Sequence, residues 1–159
     1  MTEAALPGGL AEVVEEFADT TAELRLEALL DYSNKVPPLP EHVRAGELER
    51  VHECQTPFFV AAELDGDGLV RLYFQAPPEA PTTRGFAGIL HAGLDGERPE
   101  QVLATPDDFW VGMGLGQVIS PLRLRGMAAI LARIKRQVRA LAAGAQAPRA
   151  ALDSRAPRD

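Results

Sequence analysis

Among the 159 residues there is one cysteine, Cys54, and it is the side chain best suited to nucleophilic chemistry. It sits in Val51-His52-Glu53-Cys54-Gln55-Thr56-Pro57, a polar segment just before an alternating apolar run. A free cysteine is often a small buried hydrophobe. Here the polar flanks and Pro57 set it outside the strand pattern, so a reachable loop position is expected. Reactivity requires the thiolate. His52, two residues away, lies on the same side of an extended backbone. A protonated imidazole there would favour the thiolate, and Glu53 would oppose it. A lone histidine is more often structural, so His52 is the secondary candidate.

Arg123 is the next oddity. It stands in the first turn of a helix that Ser120-Pro121 should open. An exposed cation at the positive end of a helix costs about 0.3–1 kcal/mol. Arg125 follows closely, and Gly112-x-Gly114-x-Gly116 precedes it as a flexible loop. The position fits contact with an anion. It fits solvation, or a salt bridge to one of the many acids, equally well.

Other chemistries lack their residues. There is no Gly-Lys-Ser/Thr phosphate loop and no strand-linked dinucleotide fingerprint. His42, His52 and His91 have no metal-ligand spacing. A single thiol excludes an internal disulfide, a Cys-rich zinc site and a cluster held by several thiolates of this chain. It fits a reducing, cytoplasmic compartment. No stretch reaches the ~18 apolar residues of a membrane span. The N-terminal residues lack the basic head and apolar run of a signal peptide.

Charge is unevenly spread around a net −7. Residues 1–80 carry 16 acids and 5 bases, and residues 81–159 carry 7 acids and 11 bases. The late bases Arg133, Arg136 and Arg139 read as one solvated helix face. A pI near 5.0 and few aromatics argue against nucleic-acid binding.

The elements that must position Cys54 and Arg123 follow from periodicity. Leu10, Val13, Val14 and Phe17 predict a helix over 9–18. Thr20 and Glu23 form a capping-box pattern for a second helix over 21–33, with Leu24, Ala28, Leu29 and Leu30 inward. Residues 34–50, with Pro37, Pro38 and Pro40, read as a long surface connection. Alternation over 58–64 and 70–75 around Asp65-Gly66-Asp67-Gly68 predicts a β-hairpin. A further strand near 49–52 would make three antiparallel strands. Thr82 or Thr83 should cap a helix over 83–93. Short helices are expected after Pro99 and around Phe109-Trp110. A long helix should run from 121 to about 142, burying Met127, Ile130, Leu131, Ile134, Val138 and Leu141. The predicted organisation is a flexible 1–8, one domain over 9–142 and a disordered tail over 143–159. The fold class is α+β: a small antiparallel sheet packed on one side by helices.

Taken together, the motifs resemble the SufE family of sulfur-acceptor proteins over about residues 9–140. Leu29-Leu30-Asp31-Tyr32 through Pro37-Pro38-Leu39-Pro40 is similar to the family's helix and Leu-Pro-rich turn. Val51-x-Glu53-Cys54-Gln55-Thr56 is similar to its Val-x-Gly-Cys-Gln-Ser. Ile119-Ser120-Pro121-Leu122-Arg123 through Gly126 is similar to its Leu-(Thr/Ser)-Pro-x-Arg-x-x-Gly, and Arg84-Gly85 to a Lys/Arg-Gly pair. Glu53 stands where the family has glycine, and Phe58 and Phe59 where it has Val and Trp.

The resemblance implies a two-layer fold of the SufE and iron–sulfur scaffold type. It implies that Cys54 accepts sulfur from the persulfide of a pyridoxal-phosphate cysteine desulfurase of the SufS type, and stimulates that enzyme. The sulfur would pass to a SufBCD-like iron–sulfur assembly scaffold. Arg123 matches a characteristic arginine, as support for loop position or transfer. The chain would be a partner in sulfur transfer rather than an independent enzyme, with no cofactor of its own and no nucleic-acid or membrane partner. Two other classes are open: an interaction module with a structural cysteine, and a single-cysteine thiol hydrolase or peroxidase.

Overall fold

The computed structural model describes residues 6–145. The elements are α1 (Gly8–Ala18), α2 (Ala22–Ser33), β1 (Glu49–Arg50), β2 (Phe59–Leu64), β3 (Val70–Gln75), α3 (Pro81–Leu94), α4 (Pro99–Ala104) and α5 (Pro121–Ala145). Short 3₁₀ turns span Ala45–Glu47, Phe109–Met113 and Leu115–Gln117. The expected ends at 1–5 and 146–159 lie outside the described residues. Within them, Pro7 is already buried and α5 runs to Ala145, three residues past the expected end.

The sheet is antiparallel in the order β1-β2-β3, as the alternation predicts. The tight turn forms because Asp65 Oδ1 accepts from the N–H groups of Asp67 and Leu69, at 2.9 and 3.0 Å, while Gly68 takes a positive φ of 79°. Val60, Val70, Leu72 and Phe74 are buried on one face, and the rings of Phe58 and Phe74 meet edge-on. α5 and α3 pack against the sheet, and α1 and α2 pack on α3. The stripe Met127, Ile130, Leu131, Ile134 and Val138 is buried as expected, with Leu141 at its margin.

Both sheet edges are covered, which removes the hazard of unpaired strand edges. β1 is only two residues long, so Ala62 lacks a strand partner on that side. Its N–H donates instead to Gln137 Oε1 of α5 at 2.8 Å. On the other edge Leu72 N–H donates to Asp95 Oδ1 at 2.9 Å, and Val70 exchanges backbone bonds with Gly96 and Glu97.

Three local expectations are corrected. The Thr20 capping box does not form: Thr20 Oγ1 donates to the Glu16 carbonyl at 2.6 Å, capping the end of α1, and Thr21 precedes α2 without a side-chain cap. Thr82 and Thr83 do not cap α3, because Pro81 opens it and places them inside the first turn. On α2, Leu24 and Leu30 face outward, with Leu24 52% exposed, and Leu29 and Tyr32 face inward. The connection over 34–50 holds a 3₁₀ turn and ends in β1, the third strand expected near 49–52.

α2 can turn leucines outward because it packs on α3 through backbone rather than bulk. A Cβ on Gly88 would stand 2.0 Å from the Tyr32 carbonyl oxygen, and one on Gly85 2.6 Å from the Leu29 oxygen. Beside them Arg84 donates from Nε to the Ser33 carbonyl at 2.9 Å and from Nη1 to the Ala76 carbonyl at 2.6 Å. It thus ties the ends of α2 and β3 to α3. Gly88→Ala gains about 0.5–1 kcal/mol of helix preference. The clash is far larger in kind, since backbone must move. A net loss of about 2–3 kcal/mol is expected, toward the upper range of overpacking penalties, read as a lower urea midpoint; unchanged stability would refute the close packing.

Candidate functional site

The sequence places Cys54 in the connection between β1 and β2. The ladder pairs Arg50 with Phe59, and it extends one step further: Val51 N–H donates to the Phe58 carbonyl at 2.8 Å. Residues 52–57 are therefore the tip of a second hairpin. Inside it Cys54 N–H donates to the Val51 carbonyl at 3.2 Å, which folds the tip back toward the core.

Cys54 is buried, 5% exposed, and not the reachable loop residue that its polar flanks predict. The flanks do point outward: His52, Glu53 and Gln55 are exposed. The thiol alone turns in, because α5 offers it a gap. A Cβ on Gly126 would stand 3.2 Å from Sγ, so any side chain there would press on the sulfur. Gly126 closes the Ser-Pro-x-Arg-x-x-Gly pattern, the one sequence signal that could have marked it.

A second contact fixes the tip from outside. Arg133, two turns along α5 from Gly126, grips the Glu53 carboxylate with Nη2 at 2.7 Å and Nη1 at 3.3 Å. Its Nε lies 3.1 Å from Glu49 Oε2 on β1. Arg136 also pairs with Glu49, and Gln137 Nε2 donates to Glu49 Oε1 at 3.0 Å. Arg133 and Arg136 are thus not a merely solvated face; they bind the helix to the cysteine hairpin.

These charges set the state of the thiol. Burial pushes Cys54 up to about 11; the Glu53 charge adds to this and Arg133 opposes it. The Glu53 carboxyl is held below its usual value by a hydrogen bond with its own backbone, then by Arg133 and, least, by the charge of His52. The cation bearing on the thiol is therefore Arg133, and the exposed His52 bears on Glu53. A neutral thiol, not a thiolate, rests in this pocket.

The structure brings Arg123 to the same place. A cavity of about 320 Å³ is bordered by Cys54, Thr56, Thr82, Thr83, Phe86 and Arg123, among others. Arg123 Nη1 donates to Thr82 Oγ1 at 3.3 Å. No carboxylate forms a salt bridge with it among the described residues. Its start on α5 is fixed as predicted, with Ser120 Oγ accepting from Arg123 N–H at 3.4 Å. Thr82, Thr83 and Arg133 are site residues that sequence reasoning missed. Among the described residues there is no cluster of His, Cys, Asp or Glu that could hold a metal ion, and no helix long and apolar enough to cross a membrane.

Comparison with known proteins gives a consistent result. Residues 11–138 match the SufE family model, described as an Fe-S metabolism associated domain. An uncharacterized SufE-like protein of Mycobacterium tuberculosis is 52% identical over 136 residues, covering 86% of this chain and 95% of that protein. An uncharacterized SufE-like protein of Synechocystis is 31% identical, covering 79% of this chain and 77% of that protein. The solution structure of a hypothetical protein from Thermus thermophilus is 52% identical. It superposes with a TM-score of 0.79, covering 87% of this chain and 99% of that one.

The pairing of Glu53 with Arg133 gives a test of the resting site. Glu53→Gln removes both the tether and a charge that opposes the thiolate, so both effects act in one direction. Alkylation of Cys54 should quicken about two- to five-fold, as expected for losing a partly exposed pair worth ~0.5–1 kcal/mol. In the native chain the alkylation rate should keep climbing above pH 9, toward the value of about 11 set by burial. An ordinary exposed thiol levels off sooner, near its usual pKa of roughly 8.5. A plateau by pH 10, where a thiol of pKa ~8.5 is almost fully ionised, would contradict the buried site.

Proposed function

The chain belongs to the SufE family, and on that premise we propose that Cys54 accepts and carries sulfane sulfur for iron–sulfur cluster assembly. Membership itself sets the chain in iron–sulfur metabolism. The donor in this reading is a SufS-like cysteine desulfurase. It holds the pyridoxal phosphate and is stimulated by unloading; this chain holds no cofactor. The recipient is a SufBCD-like scaffold, and the setting is the reducing cytoplasm, where one unpaired thiol survives. The observation that carries the reading is the placing of the only thiol at a hairpin tip, over a cavity, rather than within a strand or helix.

The chemistry needs a single nucleophile. The Cys54 thiolate attacks the outer sulfur of the donor persulfide, R–S–SH, and a new S–S bond forms. The donor's S–S bond breaks, and its inner sulfur leaves as a thiolate. One sulfane sulfur and its proton change owner, and no external oxidant or reductant is required. A second thiol in this chain would resolve the product as a disulfide and release sulfide; there is none.

Attack requires the tip to leave its pocket, because the buried thiol is both protonated and out of reach of a donor. Opening breaks the Glu53–Arg133 pair and frees Sγ from Gly126. Arg123, on the wall of the vacated cavity, then supports loop position or transfer. His52, exposed at the tip, is in this reading a minor support for the thiolate once Sγ is outside. The burial of Cys54 equally favours a structural cysteine in an interaction module, and reaction with sulfur separates the two.

The full chain is mixed with a cysteine desulfurase, pyridoxal phosphate and cysteine, and its intact mass is read. One added sulfur, ~32 Da, is expected on Cys54 as the accepting thiolate. Cys54→Ser should abolish both the added mass and the stimulation while keeping the fold. Arg123→Ala should slow transfer. A wild-type chain that never gains mass would leave the structural cysteine as the reading.

A further inference from the structure

We propose that the cavity beside Cys54 is a built receptor for the terminal sulfur of a Cys54 persulfide, held by the hydroxyls of Thr83 and Thr82. The proposal rests on the carrier reading above. It adds what holds the cargo between donor and recipient.

The cavity is too large and too polar on one wall to be a packing defect. Its volume of about 320 Å³ exceeds many-fold the ~10–15 Å³ in which one water fits. Phe86 and Leu122 give it apolar walls. Hydroxyls converge on the other side: Thr56 Oγ1 and Thr83 Oγ1 lie 3.4 Å apart, and Thr82 Oγ1 meets Arg123 Nη1 at 3.3 Å. Both contacts are long against the roughly 2.8–3.0 Å of well-formed bonds of these kinds. Neither commits its donor firmly, and a hydroxyl hydrogen rotates to suit a new partner. Thr82 is buried, 9% exposed, so its side chain is held in place at the cavity wall.

Charge selects the ligand. Of the lining residues Arg123 is the one cation, and Glu53 and Glu79 are acids. Glu53 is already engaged by Arg133. Arg123 and Glu79 then balance, which disfavours a dianion such as phosphate and leaves the hydroxyls to hold a single, soft negative charge. A persulfide is more acidic than its parent thiol, and its charge sits on the outer atom. With an S–S bond of about 2.05 Å, that atom projects beyond Sγ. Sγ stays in its apolar niche against Gly126 while the charged atom enters the threonine-lined space. The closed hairpin thus suits a neutral thiol when empty and an anionic persulfide when loaded. The hydroxyls belong to α3, whose first turn starts at Pro81. They stay in place when the hairpin tip moves away.

The test loads Cys54 in two ways. One uses a desulfurase with cysteine. The other uses inorganic polysulfide, whose sulfur the thiolate attacks while the shortened polysulfide leaves. The persulfide is then titrated through the near-ultraviolet absorption of its anion. Thr82→Val with Thr83→Val should raise the persulfide pKa by about one unit, so that tenfold less anion exists at a fixed lower pH. The single Thr83→Val, at a half-exposed position, should shift it in the same direction, and Thr83→Ser should restore the native value. A variant that is folded by circular dichroism but titrates like the native chain would overturn the proposal. If only polysulfide loads the chain and the shift is present, the receptor stands and the desulfurase reading fails.

Discussion

The space that Gly126 leaves for Cys54 Sγ, where a Cβ would stand 3.2 Å away, fixes how the hairpin and α5 lie together. It demands that α5 pass directly beneath the tip of the β1–β2 connection, with no side chain between. Once the helix lies there, its later residues meet the sheet in order. Arg133 reaches Glu53 and Glu49, and Gln137 reaches Glu49 and the unpaired N–H of Ala62. The same helix buries Met127, Ile130, Ile134 and Val138 in the core. One face of α5 therefore holds the core, and its flank holds the hairpin in register. The hairpin tip, by contrast, is held by the Glu53–Arg133 ion pair, the long Thr56–Thr83 hydroxyl contact and the fit of Sγ beside Gly126. The difference lets the tip move while its base stays.

Charge follows the same seam. The acidic first half and basic last part of the chain look like a polarised surface when read linearly. In three dimensions the two halves meet at β1 and α5, where Glu49 and Glu53 face Arg133 and Arg136. Burial costs Glu49 something, and the hydrogen bonds from Arg136 and Gln137 outweigh it, keeping the carboxyl below its usual range. Glu53, in the place of a family glycine, takes no unusual backbone angle, since no described non-glycine residue has positive φ. Its side chain adds the tether to Arg133.

Much of this is legible in the sequence. The β2–β3 hairpin and α5 are plain because alternation and 3.6-residue periodicity are each bounded by strong punctuation, Asp-Gly at one and Ser-Pro at the other. α2 misleads at Leu24 and Leu30 because its partner is the backbone-lined face of Gly85 and Gly88, which carries no apolar signal of its own. The Thr20 capping box fails because a nearby carbonyl of α1 competes for the same hydroxyl. At the site, Cys54 and Arg123 stand out by their types and motifs. The burial of Cys54 does not, because it depends on a glycine far along the chain. Thr82 and Thr83 resemble caps in the sequence, and only the position of Pro81 reveals them as lining residues.

The hydrogen bond from Val51 to Phe58 has a mechanical meaning. It acts as the clasp of a short leash. Cys54 lies three steps along the chain from Val51, and a chain spans at most ~3.3–3.6 Å per residue, so the sulfur-bearing position can travel only about 10 Å from the end of the sheet. A donor must present its sulfur within that radius or distort the sheet to be reached. Depth of the donor's own cysteine then becomes a criterion of partnership, measured against a ruler that the strand pairing sets.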